Sequence, residues 1–210
     1  MPKVTGEHRD RRRRQILDAA MACFDRHGLH ATTTDEIVAE AGLSAGAMYR
    51  YFDSKDAIIE AIAEERHAHE RSLLADALAG GDPRASLRSF LERYFDWLAD
   101  PGEQRRRRVN VYVWAESLHN ARLAGVVASG LAPLDQSVEA VRAAVSSGAF
   151  PPALDAEPFV RVVLALLQGF VLQQCWDPTV DLQRYRATAL ATVDALLSAT
   201  TEAETASRLP

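Results

Sequence analysis

The sequence predicts an all-α chain, with a three-helix front followed by a larger helical domain and about nine helices in all. Apolar residues recur at helical spacing over long windows, and no strand-like alternation interrupts them. The breaks fall at Gly and Pro. A chain of 210 residues that is 48% hydrophobic and 25% charged is long and balanced enough to bury a core. We divide it into residues 1–55, 56–200 and a C-terminal tail, 201–210.

The first helix spans 9–27, with Ile16, Leu17, Ala20, Cys23 and Phe24 on one face and Gly28 as its stop. Thr33 and Glu36 stand in capping-box register, so a second helix starts at Thr33 or Thr34 and offers Ile37, Val38 and Ala41 to the same core. A Gly42-Leu43-Ser44 turn leads to a third helix, about Ala45 to Tyr51. Phe24, Ile37, Leu43, Met48 and Phe52 fill the small core that these three helices share.

Ser54 caps a fourth helix beginning at Lys55, whose stripe runs from Ile58, Ile59 and Ile62 through His69 to Leu73 and Leu74. On this count His67 faces solvent. Gly80-Gly81-Asp82-Pro83 ends it, and Pro83 opens a fifth helix to about Asp100. A sixth runs from about Glu103 to His119. The seventh carries Val127, Leu131, Leu134, Val138, Val141 and Val145, with a kink at Pro133. The eighth, about Ala156 to Trp176, is apolar nearly all round and must be covered on every side. The ninth covers about Leu182 to Ser198.

Net charge is -5, unevenly distributed: residues 1–55 hold nine Lys/Arg and eight Asp/Glu, and the remainder fifteen and twenty-one. Arg9 and Arg11 to Arg14 form a basic cluster, either a reach toward phosphates and a narrow minor groove or a solvated helix start. Cys23 and Cys175 both fall inside helical patterns and read as buried thiols. No charged stem with a long apolar run opens the chain and no 18-residue uncharged apolar stretch occurs, so we expect a cytoplasmic protein without a membrane partner.

A short third helix with Ala45, Gly46 and Ala47 at its front has little chemistry of its own. It fits a helix-turn-helix laid into a DNA groove. Those three residues offer methyl contacts and close approach, and Ser44 and Arg50 are the remaining candidates for base reading. Arg50 reads equally well as a solvent-facing charge.

The segment Arg14 to Leu43, with Ile16-Leu17, Ala19-Ala20, Phe24, Gly28, Thr33-Thr34, Ile37 and Ala41-Gly42, continues into Ser44, Gly46, Tyr49, Tyr51-Phe52, Ser54 and Lys55. It resembles the DNA-binding domain of the TetR family of transcriptional repressors. Helices four to nine resemble that family's ligand-binding and dimerisation domain. The resemblance implies a homodimer that binds a roughly palindromic double-stranded operator and lets go when a small-molecule effector enters the second domain. It also assigns phosphate positioning to Thr34, Tyr49, Tyr51 and Lys55, beside helix N-termini near Thr33 and Lys55. Where the family commonly has a threonine this chain has Ala47, which leaves more of the specificity to Ser44, Arg50 and groove shape.

Phe90, Tyr94, Trp97, Tyr112, Trp114, Glu116, Gln168 and Gln173 lie in segments too apolar to face water throughout, and His69 joins them as a pocket histidine. They read as walls of an effector site or simply as core. Glu116 needs a cation, either a ligand or one of Arg105 to Arg108 or Arg122. Arg105 to Arg108 are themselves solvated or paired with acids of the fourth helix such as Glu64 or Glu65. On the last two helices, Val160, Leu164, Ala165 and Gly169 with Leu182, Tyr185, Ala189, Val193 and Leu196 mark a dimer seam or a monomer core, with Ala165 and Gly169 allowing close approach. Neither catalytic residues nor a metal or cofactor are expected, because no nucleophile elbow, phosphate loop, Cys-x-x-Cys or H-E-x-x-H occurs. Two rival readings remain: an enzyme with a triad assembled in space, and a DNA-binding dimer without an effector.

Overall fold

In the computed structural model, residues 6–198 are described. They form ten helices: α1 (Gly6–Ala31), α2 (Thr34–Ala41), α3 (Ala45–Met48), α4 (Lys55–Leu78), α5 (Pro83–Leu98), α6 (Glu103–Ser117), α7 (Ala121–Leu131), α8 (Pro133–Ser146), α9 (Ala156–Trp176) and α10 (Leu182–Ser198). The stretch read as one kinked helix is two, α7 and α8. Pro133 takes the first helical position of α8, where its missing N–H costs nothing. The third helix is shorter than expected: after Met48 the chain tightens into a turn that bonds Tyr51 N–H to the Met48 carbonyl and brings Phe52 inward. The tail, 201–210, lies outside the described residues.

The chain folds as two compact units. The front unit runs to His67 and takes in Gln104–Gly130, and the rear unit comprises Ala68–Glu103 and continues from Leu131. These compact units do not follow the expected boundary at residue 55, because α6 and α7 carry apolar residues that join the front core. Ile16, Phe24, Ile37, Met48, Ile58 and Val109 are all fully buried there, with Phe52, Val113 and Leu123 nearly so. Leu43 packs on this core partly buried. Gly28, at φ 77°, breaks α1 where a side chain would be strained.

On α4 the buried stripe departs from the expected one. Ile59, Ile62 and Ala63 are followed by Arg66 and His67, both buried, whereas His69 is exposed. Polar side chains on the buried face misled the apolar count. His67 sits against α7, where a Cβ at Gly130 would overlap its ring. Only Cys23 is a buried thiol, and Cys175 is part-buried. Burial pushes the Cys23 thiol above its ordinary value, against the opposing charge of Arg26.

In the rear unit α8 packs on α9, and α10 on α5 and α9. Within it, α9 is long and apolar enough to cross a membrane by length and composition, yet it buries Phe159, Val163, Leu167, Phe170 and Val171 in this unit's core. The Arg84 guanidinium donates to the Ala149 carbonyl at 2.8 Å and to that of Leu197 at 3.0 Å, closing α5 onto the α8–α9 connection and the end of α10.

Candidate functional site

The front of the chain builds a presented helix from local rules. Thr33 accepts from Glu36 N–H at 3.2 Å while the Glu36 carboxylate takes the Thr33 N–H at 2.7 Å, a complete capping box. The backbone N–H of Thr33, and then its hydroxyl, hold the Glu36 carboxyl below the usual carboxylate range. Gly42 closes α2 in the left-handed region at φ 62°, bonding back to Ala39. Ser44 then caps α3 by accepting from Ala47 N–H at 3.2 Å. The whole turn is tied to α1 by Gln15, whose amide donates to the Ala41 carbonyl at 2.6 Å, and by the Arg26–Glu40 pair at 2.6 Å.

On this scaffold Ser44, Ala45, Gly46, Tyr49 and Arg50 are exposed, Tyr49 by 48%. Thr34, Ala47 and Tyr51 are half-buried beside them, and Met48 turns inward. Two of the candidates have prior duties: the Thr33 and Ser44 hydroxyls serve as caps. Lys55 has a duty that sequence reasoning missed. Its ammonium donates to the carbonyls of Leu29 at 2.7 Å, Thr32 at 2.9 Å and His30 at 3.5 Å. No local pattern signals it, since the acceptors lie more than twenty residues upstream.

The basic cluster is divided. Arg13 pairs with Glu65 at 2.9 Å and lies over the Phe52 ring at 5.4 Å, a folding role. Arg11 contacts His8 and Arg12 contacts Gln15, both along α1. Three of the four arginines from Arg105 to Arg108 reach acids of α1, which sequence reasoning did not name: Arg105 and Arg108 reach Asp25 at 3.8 and 3.3 Å, and Arg106 reaches Asp18 at 3.9 Å. Glu116 pairs with His30 at 2.6 Å, correcting the expectation of an arginine partner, and Arg122 pairs with Glu60 instead. Helical periodicity tells which face is covered, not which distant element covers it.

Of the effector candidates, the rear unit brings four together. His69 lies tilted against Trp97, ring centroids 4.6 Å apart, Trp97 meets Tyr94 edge-on at 5.4 Å, and Phe90 lies 6.0 Å from Tyr94. The Tyr94 hydroxyl donates to Glu70 at 3.2 Å. Because His69 is exposed, this cluster is a surface-reaching aromatic patch and not the enclosed wall expected for a pocket histidine. Gln168 lies on α9 of the same unit, half-buried, and Gln173 is exposed, whereas Tyr112, Trp114 and Glu116 belong to the front unit.

The seam candidates also divide. Val160, Ala189 and Val193 are buried within the protomer, and Tyr185 packs against Phe95 and Phe170 there. A Cβ at Gly169 would sit 3.3 Å from the Tyr185 hydroxyl, so the close approach that Gly169 permits is between α9 and α10 of one protomer. Leu164, Leu182 and Gly169 are half-buried, Ala165 exposed and Leu196 39% exposed. Val162 at 43% and Trp176 at 74%, which sequence reasoning passed over, extend the outward face of α9.

A one-turn helix displayed on a doubly capped scaffold defines a helix-turn-helix protein. The match to the model described as bacterial regulatory proteins of the tetR family covers residues 16–62, and that to the BetI-type transcriptional repressor C-terminal model covers residues 83–198. The chain belongs to the TetR family of transcriptional repressors, with a BetI-type C-terminal domain. It is 36% identical over 110 residues to the HTH-type transcriptional repressor Rv1474c of Mycobacterium tuberculosis, covering 52% of this chain and 58% of that one. To the HTH-type transcriptional regulator BetI of Paraburkholderia xenovorans it is 30% identical over 125 residues, 59% and 62% of the two. The chain spans 48% to 62% of the length of these curated relatives and of a third, from Bacillus subtilis. A solved complex of SmeT with triclosan is similar in structure, with a TM-score of 0.77 at 28% identity over 88% of this chain and 90% of that one.

Proposed function

We propose that this protein is a cytoplasmic homodimeric repressor that binds a roughly palindromic operator through α3 and is released by a small-molecule effector. Residues 1–55 carry the reading function and 56–200 effector binding and dimerisation. The observation that carries the proposal is the exposed Ser44-Ala45-Gly46 front of α3, flanked by Tyr49, Arg50, Tyr51 and Thr34. Small residues let the helix backbone approach base edges, with Ala45 and Ala47 suited to thymine methyls, while the tyrosine hydroxyls and the amides at the start of α2 position phosphates.

The outward faces of α9 and α10, with Val162, Ala165, Trp176 and Leu196, serve as the seam between protomers. A two-fold pair presents its α3 helices about 34–36 Å apart, one helical turn of DNA. Support for an apolar, aromatic effector comes from the cluster of Phe90, Tyr94, Trp97 and His69 and from the similarity to a repressor solved with triclosan. The test joins light scattering of the purified protein, gel shifts on the duplex upstream of its own gene, and a thermal-shift screen led by triclosan. A dimer that shifts this duplex and loses it on adding a stabilising compound is the expected result. A monomer, or no preference over unrelated DNA, ends the proposal; a dimer that holds DNA through every stabilising compound leaves a regulator without a small-molecule effector.

A further inference from the structure

We infer that Lys55 is a positioning residue for the reading head and not a phosphate contact, an inference that rests on the DNA-binding reading above. An ammonium carries three protons and accepts nothing. Here they point at three carbonyls, those of Leu29, His30 and Thr32. Leu29 and His30 lie in the single turn that follows the Gly28 break in α1, where no further helical turn supplies N–H donors to the last carbonyls. A cation there answers acceptors that helix geometry leaves open.

The chemistry also explains the residue type. The chain has 24 Lys and Arg in total, and Lys3 and Lys55 are its only lysines. A planar guanidinium spreads its donors in a fork, whereas a compact ammonium converges on a cup of carbonyls. Lys55 is the first residue of α4, and Thr32 immediately precedes the Thr33 cap of α2. The side chain therefore pins the entry of α2 to the start of α4, the two elements between which α3 is strung. Thr32 closes the same loop from the other side, its hydroxyl donating to the Gly28 carbonyl at 2.8 Å.

The experiment uses the full-length protein with two probes, the duplex upstream of its own gene and an unrelated duplex of equal length, well below the melting temperature. For Lys55→Met, positioning predicts a lower melting temperature and at least a tenfold loss on the first duplex. Affinity for the unrelated duplex and the slope of log affinity against log salt stay unchanged. A phosphate contact predicts a slope shallower by roughly 0.9 on both duplexes. Lys55→Arg keeps the charge; it loses operator preference if Lys55 positions and retains it if Lys55 holds phosphate. A merely structural role lowers the melting temperature but leaves the ratio of the two affinities as in the wild type. Should both variants fail to fold, ammonium NMR of the wild type decides. A slowly exchanging Lys55 signal unaltered by DNA supports the inference, and one that appears or moves onto phosphate when DNA binds overturns it. Failure of the wild type to prefer either duplex refutes the DNA reading alone, and the melting temperature and NMR still report on the clamp.

Discussion

The Tyr185 hydroxyl donates to the Leu166 carbonyl at 2.7 Å, passing over Gly169. An α9 carbonyl thus takes a bond from α10, and burial raises the phenol's pKa above its ordinary value. Tyr185→Phe removes one neutral hydrogen bond and should cost about 1 kcal/mol. Gly169→Ala gains up to about 1 kcal/mol of helix propensity but crowds the hydroxyl. We therefore expect Gly169→Ala to stabilise the Tyr185→Phe protein more than the wild type, by at least about 0.5 kcal/mol. Denaturant midpoints of the four proteins at one protomer concentration check this, and strict additivity would remove the steric account.

Asp25 lies between Arg105 and Arg108, its side chain 22% exposed and theirs 56% and 46%. Such pairs are screened and individually weak. Asp25→Asn should lower stability by about 1 kcal/mol or less at low salt, and the difference from wild type should shrink in 1 M NaCl, where the Debye length is roughly 3 Å. Melting curves at both salts test it; a salt-independent loss would mean that Asp25 acts through packing instead.

Much of the fold was legible because local rules govern it. The Thr33–Glu36 box, the Ser54 cap, the Gly42 turn and the span Ala156–Trp176 all follow from residues within a few positions of one another. What failed was long-range. Asp25 as the partner of Arg108, His30 as the partner of Glu116, and Leu29 as an acceptor for Lys55 join positions that no periodicity relates. His67 and His69 were exchanged because the inner stripe of α4 carries Arg66 and His67 where an apolar count seeks leucine. In the seam, Val160 and Val193 read as either interface or core, because a stripe shows that a face is covered without saying whether the cover is the same chain; both are buried within the protomer.

Glu36 gives a pH dependence with a definite sign. Its folded pKa lies below the unfolded value because the ionised carboxylate accepts the Thr33 N–H first and the Thr33 hydroxyl second. Stability from the box is fully present above the ordinary glutamate value of about 4.3 and is lost as pH falls through the folded value. Glu36→Gln, which does not titrate, should be less stable than wild type at neutral pH and converge with it as pH falls. Melting temperatures from pH 7 to pH 3 read this directly, and a gap that holds constant would show that the cap does not depend on ionisation.

The N-terminal arginines separate by what holds them. Arg13 is fixed between Glu65 and the Phe52 ring, and Arg13→Ala should lower the melting temperature while the salt slope of operator binding stays unchanged. Among the described residues, Arg11 and Arg12 are held only by neighbours along α1, so their charge, with that of Arg9, remains available to a phosphate backbone. Deleting residues 1–12 should weaken operator binding and make log affinity fall less steeply with log salt, by roughly 0.9 for each phosphate that these arginines neutralise. Melting temperature should change little, because the buried side of α1 begins at Ile16. Binding isotherms at several salt concentrations measure the slope, and a deletion that leaves it unaltered would reduce the basic cluster to a solvated helix start.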